Sequence, residues 1–247
     1  MRSTANPLVF NKLELILQRL LDSVNHGYTH VVSGQVAPSK ALRLASKFEI
    51  NYQIFADKNL RSRRKRNGLG NAKWLCYIEN DKLFSWLMVT PITAGNHFAH
   101  ASENLVDVTK AGNRLTFKEF ELVELPYAKL TKPKDYYKER AKPSRLTWRL
   151  TEESYQDMRS RIIDDVRSGD LYKLFSIIRH LYSLPGFGEI RRQVGKLVAL
   201  YMAEVKRAGI SNAPQPHKTL RYTRRLADQG IRMSVLVEAY KSKLGEV

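Results

Sequence analysis

Apolar positions follow two different periods along the chain. Leu13, Ile16, Leu17, Leu20, Leu21 and Val24 recur at three- and four-residue spacing, the rhythm of one buried helical face. Asn6 suits an N-cap, Pro7 a first helical position and Gly27 a stop, so the pattern predicts a helix over residues 7 to 25. A short extended piece from Thr29 to Val32 precedes a second helix opening at Pro38 and running to about Phe48. Residues 50 to 72 turn polar and basic, the pattern of a helix followed by a loop.

The period then shortens to that of strands. Lys73 to Ile78 and Leu83 to Val89 are two β-prone runs separated by the turn-forming Glu79-Asn80-Asp81-Lys82, which predicts a hairpin. Further strands are expected at Arg114 to Phe117, Glu119 to Leu125 and Arg145 to Leu150, with the Pro- and Lys-rich residues 126 to 144 as an exposed connection. From Thr151 the pattern is helical. Thr151 can cap a helix whose first turn holds Glu152 and Glu153 and which ends near Gly169. A second helix is expected over about 171 to 183, closed by Pro185-Gly186, and a third over about 188 to 208, with Gly209 as its stop. Residues 210 to 217 read as a linker ahead of two short helices, at about 219 to 228 and 232 to 244. The class is α+β: an N-terminal antiparallel sheet region with flanking helices over residues 1 to 150, followed by an all-helical C-terminal part over 151 to 247.

Composition adds one strong constraint. Hydrophobic residues make up 43% of the chain, enough for a sizeable core, yet 42 Lys and Arg stand against 24 Asp and Glu. The resulting net charge of +18 repels itself in a compact state. A polyanionic partner relieves that cost, because each cation meeting a phosphate releases a condensed counterion. A membrane partner is not expected, for no amphipathic basic helix or long apolar run is evident, and Lys12, Glu14, Gln18 and Arg19 interrupt any signal-like segment. The lone cysteine, Cys76, excludes a disulfide framework and a cysteine-based zinc site. A cytoplasmic protein without cofactor or metal is expected.

The positive charge falls in three places. Arg61, Arg63, Arg64, Lys65 and Arg66 form the densest run, expected to grip phosphates in a loop where Gly68 and Gly70 permit close backbone approach and offer free amides. Lys132, Lys134, Lys138 and Arg140 are interleaved with Tyr136 and Tyr137, the mixture of backbone-tracking cations and stacking aromatics that single-stranded sites use. Arg191 and Arg192 add a third group with Arg221, Arg224 and Arg225, which share one face if residues 219 to 228 are helical. The expected function is binding of RNA or DNA through the phosphate backbone, as a subunit of a larger nucleoprotein complex.

Catalytic chemistry has one candidate. If Asn96 to Glu103 is helical, His97, His100 and Glu103 fall along one side, and two imidazoles can serve as general acid and base in RNA cleavage. The alternative function is therefore a metal-independent endoribonuclease that processes a structured RNA and stays bound to it. A third reading is an interaction module for an acidic protein. Glu152-Glu153 and Asp164-Asp165 are adjacent pairs whose side chains diverge on a helix, and no Walker-type phosphate loop is present. The segment His217 to Tyr222 resembles part of the tyrosine recombinase motif. One residue is inserted between His217 and Leu220, and Tyr222 stands where a second histidine belongs, so no family is assigned.

Overall fold

The computed structural model describes residues 6–126, 144–217 and 219–244. The described chain divides into two compact units, one of residues 1–114 with 225–247 and one of residues 115–224.

In the first unit the elements run β1 (Leu8–Phe10), α1 (Leu13–Asn25), β2 (His30–Val36), α2 (Ala41–Tyr52), α3 (Lys58–Arg66), β3 (Ala72–Glu79), β4 (Lys82–Val89), α4 (Ala99–Ser102) and β5 (Val106–Asp107). The strand β9 (Ile231–Arg232) and helix α8 (Met233–Leu244) return to it late in the sequence. The sheet order is β5-β2-β4-β3-β1-β9. All its pairings are antiparallel except β1 with β3, which is parallel. The hairpin of β3 and β4 turns at Asn80 and Asp81, both with positive φ (49° and 61°), as a two-residue connection matched to strand twist requires.

The helix expected from residue 7 starts six residues later. Leu8, Val9 and Phe10 instead form a strand in register with Cys76 and Tyr77. Asn6 does cap a helix, but a distant one: its Oδ1 accepts from the Ser234 amide of α8 at 3.0 Å, and its Nδ2 donates to Ser234 Oγ at 3.0 Å. Strand alternation divides the core. Val9, Trp74, Cys76, Leu83, Leu87 and Val89 pack with Ala41, Ala45, Phe48 and Tyr52 of α2 and with Met233 and Val237 of α8. Leu15, Ile16, Leu17 and Leu20 of α1 are buried, and α1 packs against β3. By alternation Lys73 belongs to the face opposite Trp74.

The second unit holds β6 (Thr116–Phe117), β7 (Phe120–Pro126), β8 (Ser144–Leu150), α5 (Glu152–Ser168), α6 (Leu171–Ser183) and α7 (Gly188–Ala208). Its three strands form one antiparallel sheet in sequence order. Thr151 caps α5 by accepting from Ser154 N, and Gly169 ends it with φ 69°. The boundary expected after residue 150 falls inside this unit, because α7 lies against β8. Gln193 of α7 accepts from Leu150 N at 2.8 Å and donates to Leu150 O at 3.2 Å. The helix expected over 219 to 228 is not formed; those residues adopt no regular structure. Thr223 N donates instead to Gly186 O at 3.2 Å.

Candidate nucleic-acid interface

The densest cationic run is a helix rather than a loop. Asp57 caps α3 by accepting from Leu60 N at 2.7 Å. Arg63, Arg64, Lys65 and Arg66 occupy its last turn, where the helix dipole favours positive charge and offsets part of their repulsion. Lys58, Arg61, Ser62 and Lys65 recur at i, i+3, i+4 and i+7, hence on one face. That face lines a cavity of about 480 Å³. The other walls are His26, Gly27 and Tyr28 beyond the end of α1, Asn71 and Lys73 at the start of β3, and Thr90, Pro91 and Ala94 after β4.

Lys73 Nζ sits 4.6 Å from the centroid of the Tyr28 ring, within cation–π range. Burial holds its amine below the usual lysine value, the Arg61 guanidinium adds to that, and Asp22 opposes it. Burial likewise raises the Tyr28 hydroxyl, against the pull of Arg61 and Arg64. Arg61 Nη2 donates to Ile54 O at 3.4 Å, while its Nε is buried without a hydrogen-bond partner. Asn71 Nδ2 donates to Arg61 O at 3.2 Å, and Asn71 Oδ1 is buried without a partner. Among the described residues no carboxylate forms an ion pair with Lys58, Arg61, Lys65 or Lys73. Asp22 is instead shared by Arg19 and Arg225.

The remaining members of the run differ in role. Arg64 Nε donates to Gly70 O at 3.0 Å and Nη1 donates to Gln53 Oε1, fastening α3 to its neighbours. Arg63 and Arg66 are exposed. The glycines that follow do not offer free amides: Gly68 N donates to Lys65 O at 3.2 Å and Gly70 N to Asn96 O at 2.9 Å. Their smallness serves a backbone crossing, since a Cβ on Gly70 would lie 2.7 Å from Gly95 O.

His97 and His100 do not share one open helical side. Helix α4 has only four residues, and His97 precedes it. His97 is buried, and its Nδ1 accepts from Ala99 N at 3.2 Å. The proton therefore sits on Nε2, which faces Tyr52 O at 3.3 Å. Burial first, then the Arg64 charge, holds this imidazole below its ordinary value. His100 Nε2 lies 2.9 Å from Thr90 O, and its ring meets His30 edge to face at 5.2 Å. Glu103 accepts from the Tyr52 hydroxyl at 2.5 Å. Together these bonds fasten the segment after β4 to the end of α2. Among the described residues no group of His, Cys, Asp and Glu side chains is arranged to hold a metal ion.

In the second unit Arg191 is engaged: Nε donates to Leu220 O at 2.7 Å, and the guanidinium stacks 3.4 Å from the Tyr222 ring centroid. Arg192 pairs with Glu189 at 2.7 Å. Arg221, Arg224 and Arg225 do not share a helical face, because their segment is not helical. Arg225 pairs with Asp22 at 2.9 Å within the first unit. Lys132, Lys134, Tyr136, Tyr137, Lys138 and Arg140 lie outside the described residues. Sequence reasoning missed Lys58, Lys73 and Tyr28. Lys58 was within reach, since it continues the Arg61–Lys65 spacing by one turn, whereas Lys73 looks like an ordinary first residue of an apolar strand. Among the described residues no helix is long and apolar enough to cross a membrane. No known family, curated protein or solved structure matches this chain.

Proposed function

We propose that the protein binds nucleic acid, RNA or DNA, and that phosphate groups are held at the cavity between α3 and the end of the first sheet. The observation that carries this reading is the convergence of Lys58, Arg61 and Lys65 from one helix face with Lys73 from a strand, with no carboxylate paired to them among the described residues. Unneutralised cations held this close cost free energy in the unbound protein, and an anion returns it. Phosphate fits that demand, and the chain-wide charge of +18 draws a polyanion from a distance.

The test is fluorescence anisotropy of labelled single- and double-stranded oligonucleotides across a salt series. Lys58→Ala/Lys65→Ala changes two exposed positions, so the fold is retained. Each lost phosphate contact lowers the slope of log K against log salt by about 0.7–0.9, so the double variant is expected to lose roughly twice that. A slope identical to that of the unmodified protein overturns the placement at this cavity. Absence of binding to every oligonucleotide overturns the reading itself.

A further inference from the structure

The cavity is walled by four separate chain segments: residues 26–28, α3, residues 71–73 and residues 90–94. A site that only tracked a continuous backbone would need little more than exposed cations along a groove, since each internal phosphate is a monoanion with two free oxygens and sugar on both sides. Here a half-buried lysine, its amine held below the usual value by burial, lies beside a guanidinium whose Nε has no partner. Two such cations, with Lys58 and Lys65 at the same cavity, suit an anion of higher charge with more free oxygens. A phosphomonoester has three terminal oxygens and a charge of about −1.5 to −2 near neutral pH. The cavity, at about 480 Å³, is also of small-ligand size rather than the size of a single ion. Asn71, whose buried Oδ1 is an acceptor without a partner, also lines the cavity.

We infer that this cavity receives a phosphomonoester, the phosphorylated end of a nucleic-acid strand. The inference rests on the nucleic-acid reading and sharpens it, from backbone contact in general to recognition of an end. Lys73 and Arg61 meet the phosphate, and Lys58 and Lys65 lie at the same opening for its neighbours along the strand.

One oligonucleotide is prepared with a 5′-phosphate, with a 3′-phosphate and with hydroxyls at both ends, and affinities are measured at fixed salt with the unmodified protein, Lys73→Met and Lys65→Gln. One phosphorylated form is expected to bind roughly tenfold tighter than the hydroxyl-ended strand, the scale of a charge-assisted hydrogen-bonded pair. Lys73→Met is expected to erase that preference, bringing the phosphorylated and hydroxyl-ended strands to the same affinity. Lys65→Gln, at an exposed position outside the sheet, is expected to weaken all three strands alike and to keep the preference for the phosphorylated one. Competition by a mononucleotide monophosphate that Lys73→Met abolishes supports the same chemistry from a free source. Equal affinity for all three strands, with no such competition, overturns the inference and leaves backbone binding standing. Failure of every strand to bind overturns the broader reading instead.

Discussion

His97 shows how a residue that looks catalytic by type is claimed by its surroundings. Both ring nitrogens face backbone groups, so the imidazole joins α2 to the segment after β4. Its folded pKa is held below the ordinary imidazole value of 6.5, and that of His30 shifts the same way. Between the folded value and 6.5 the unfolded chain binds more protons than the folded one, so stability rises with pH there. The contribution is complete above 6.5 and is lost as pH falls from 6.5 through the folded value. Melting temperatures from about pH 8 down to about pH 5 are expected to fall, and to fall less steeply in His97→Gln. An identical profile in the variant would assign the drop to other groups. Gly95 stands at the same crossing with φ 130°, and a Cβ there would lie 2.6 Å from Leu69 C and 2.7 Å from Gly70 N. Gly95→Ala is expected to cost about 3 kcal/mol or more by denaturant melts, because strain and backbone overlap combine. Gly34→Ala, where nothing lies within 4 Å, is the control and stays near neutral. The sequence shows both histidines as a pair, but not that backbone carbonyls from residues 52 and 90 come to meet them.

At the scale of elements, legibility followed the apolar period. The hairpin of β3 and β4, α6 and α7 lie where alternation and helical spacing place them. Helix α3 has no buried residue, so no apolar stripe announces it. It is held by a cap, by the dipole acting on its last turn and by Arg64 reaching Gly70 O and Gln53. The opposite error arose at residues 219 to 228. A plausible helical pattern lies there as irregular chain, where the backbone of Arg221 and Thr223 passes so close to Gly186 that a Cβ on that glycine would lie 1.9 Å from Arg221 O. Contacts of that range are invisible to local pattern. Because α3 depends on its cap, Asp57→Ala is expected to cost about 1 kcal/mol and to weaken oligonucleotide binding despite removing a negative charge. Asp57→Asn keeps the cap and removes the same charge, so its affinity should equal or exceed that of the unmodified protein. Charge alone would move both variants in the same direction, and stronger binding by Asp57→Ala would show that cap-held order in α3 does not matter.

For the whole molecule, composition announced a basic protein with enough apolar residues for a core, but not where the chain would divide. A boundary after residue 150 separates strand pattern from helix pattern, whereas packing groups β6, β7 and β8 with α5, α6 and α7. The first unit is closed by residues from far down the chain. Strand β9 pairs with β1, and Met233 and Val237 of α8 are buried in the core against α2. Burying each such side chain contributes about 1.5–3 kcal/mol, and Asn6 adds a cap to the same helix. Removing residues 225–247 therefore subtracts an amount comparable with the roughly 5–15 kcal/mol that holds a typical domain folded. Hydrogen exchange on a chain ending at residue 224 is expected to show β1, β3 and β4 losing protection while β7, β8 and α7 keep theirs. A synthetic peptide of residues 225–247 added in trans should return protection to the first group and, because Lys73 lies in β3, oligonucleotide affinity with it. Undiminished protection of β3 in the shortened chain would mean that the sheet and α2 suffice alone. Loss in both groups would mean that the second unit's stability depends on the first.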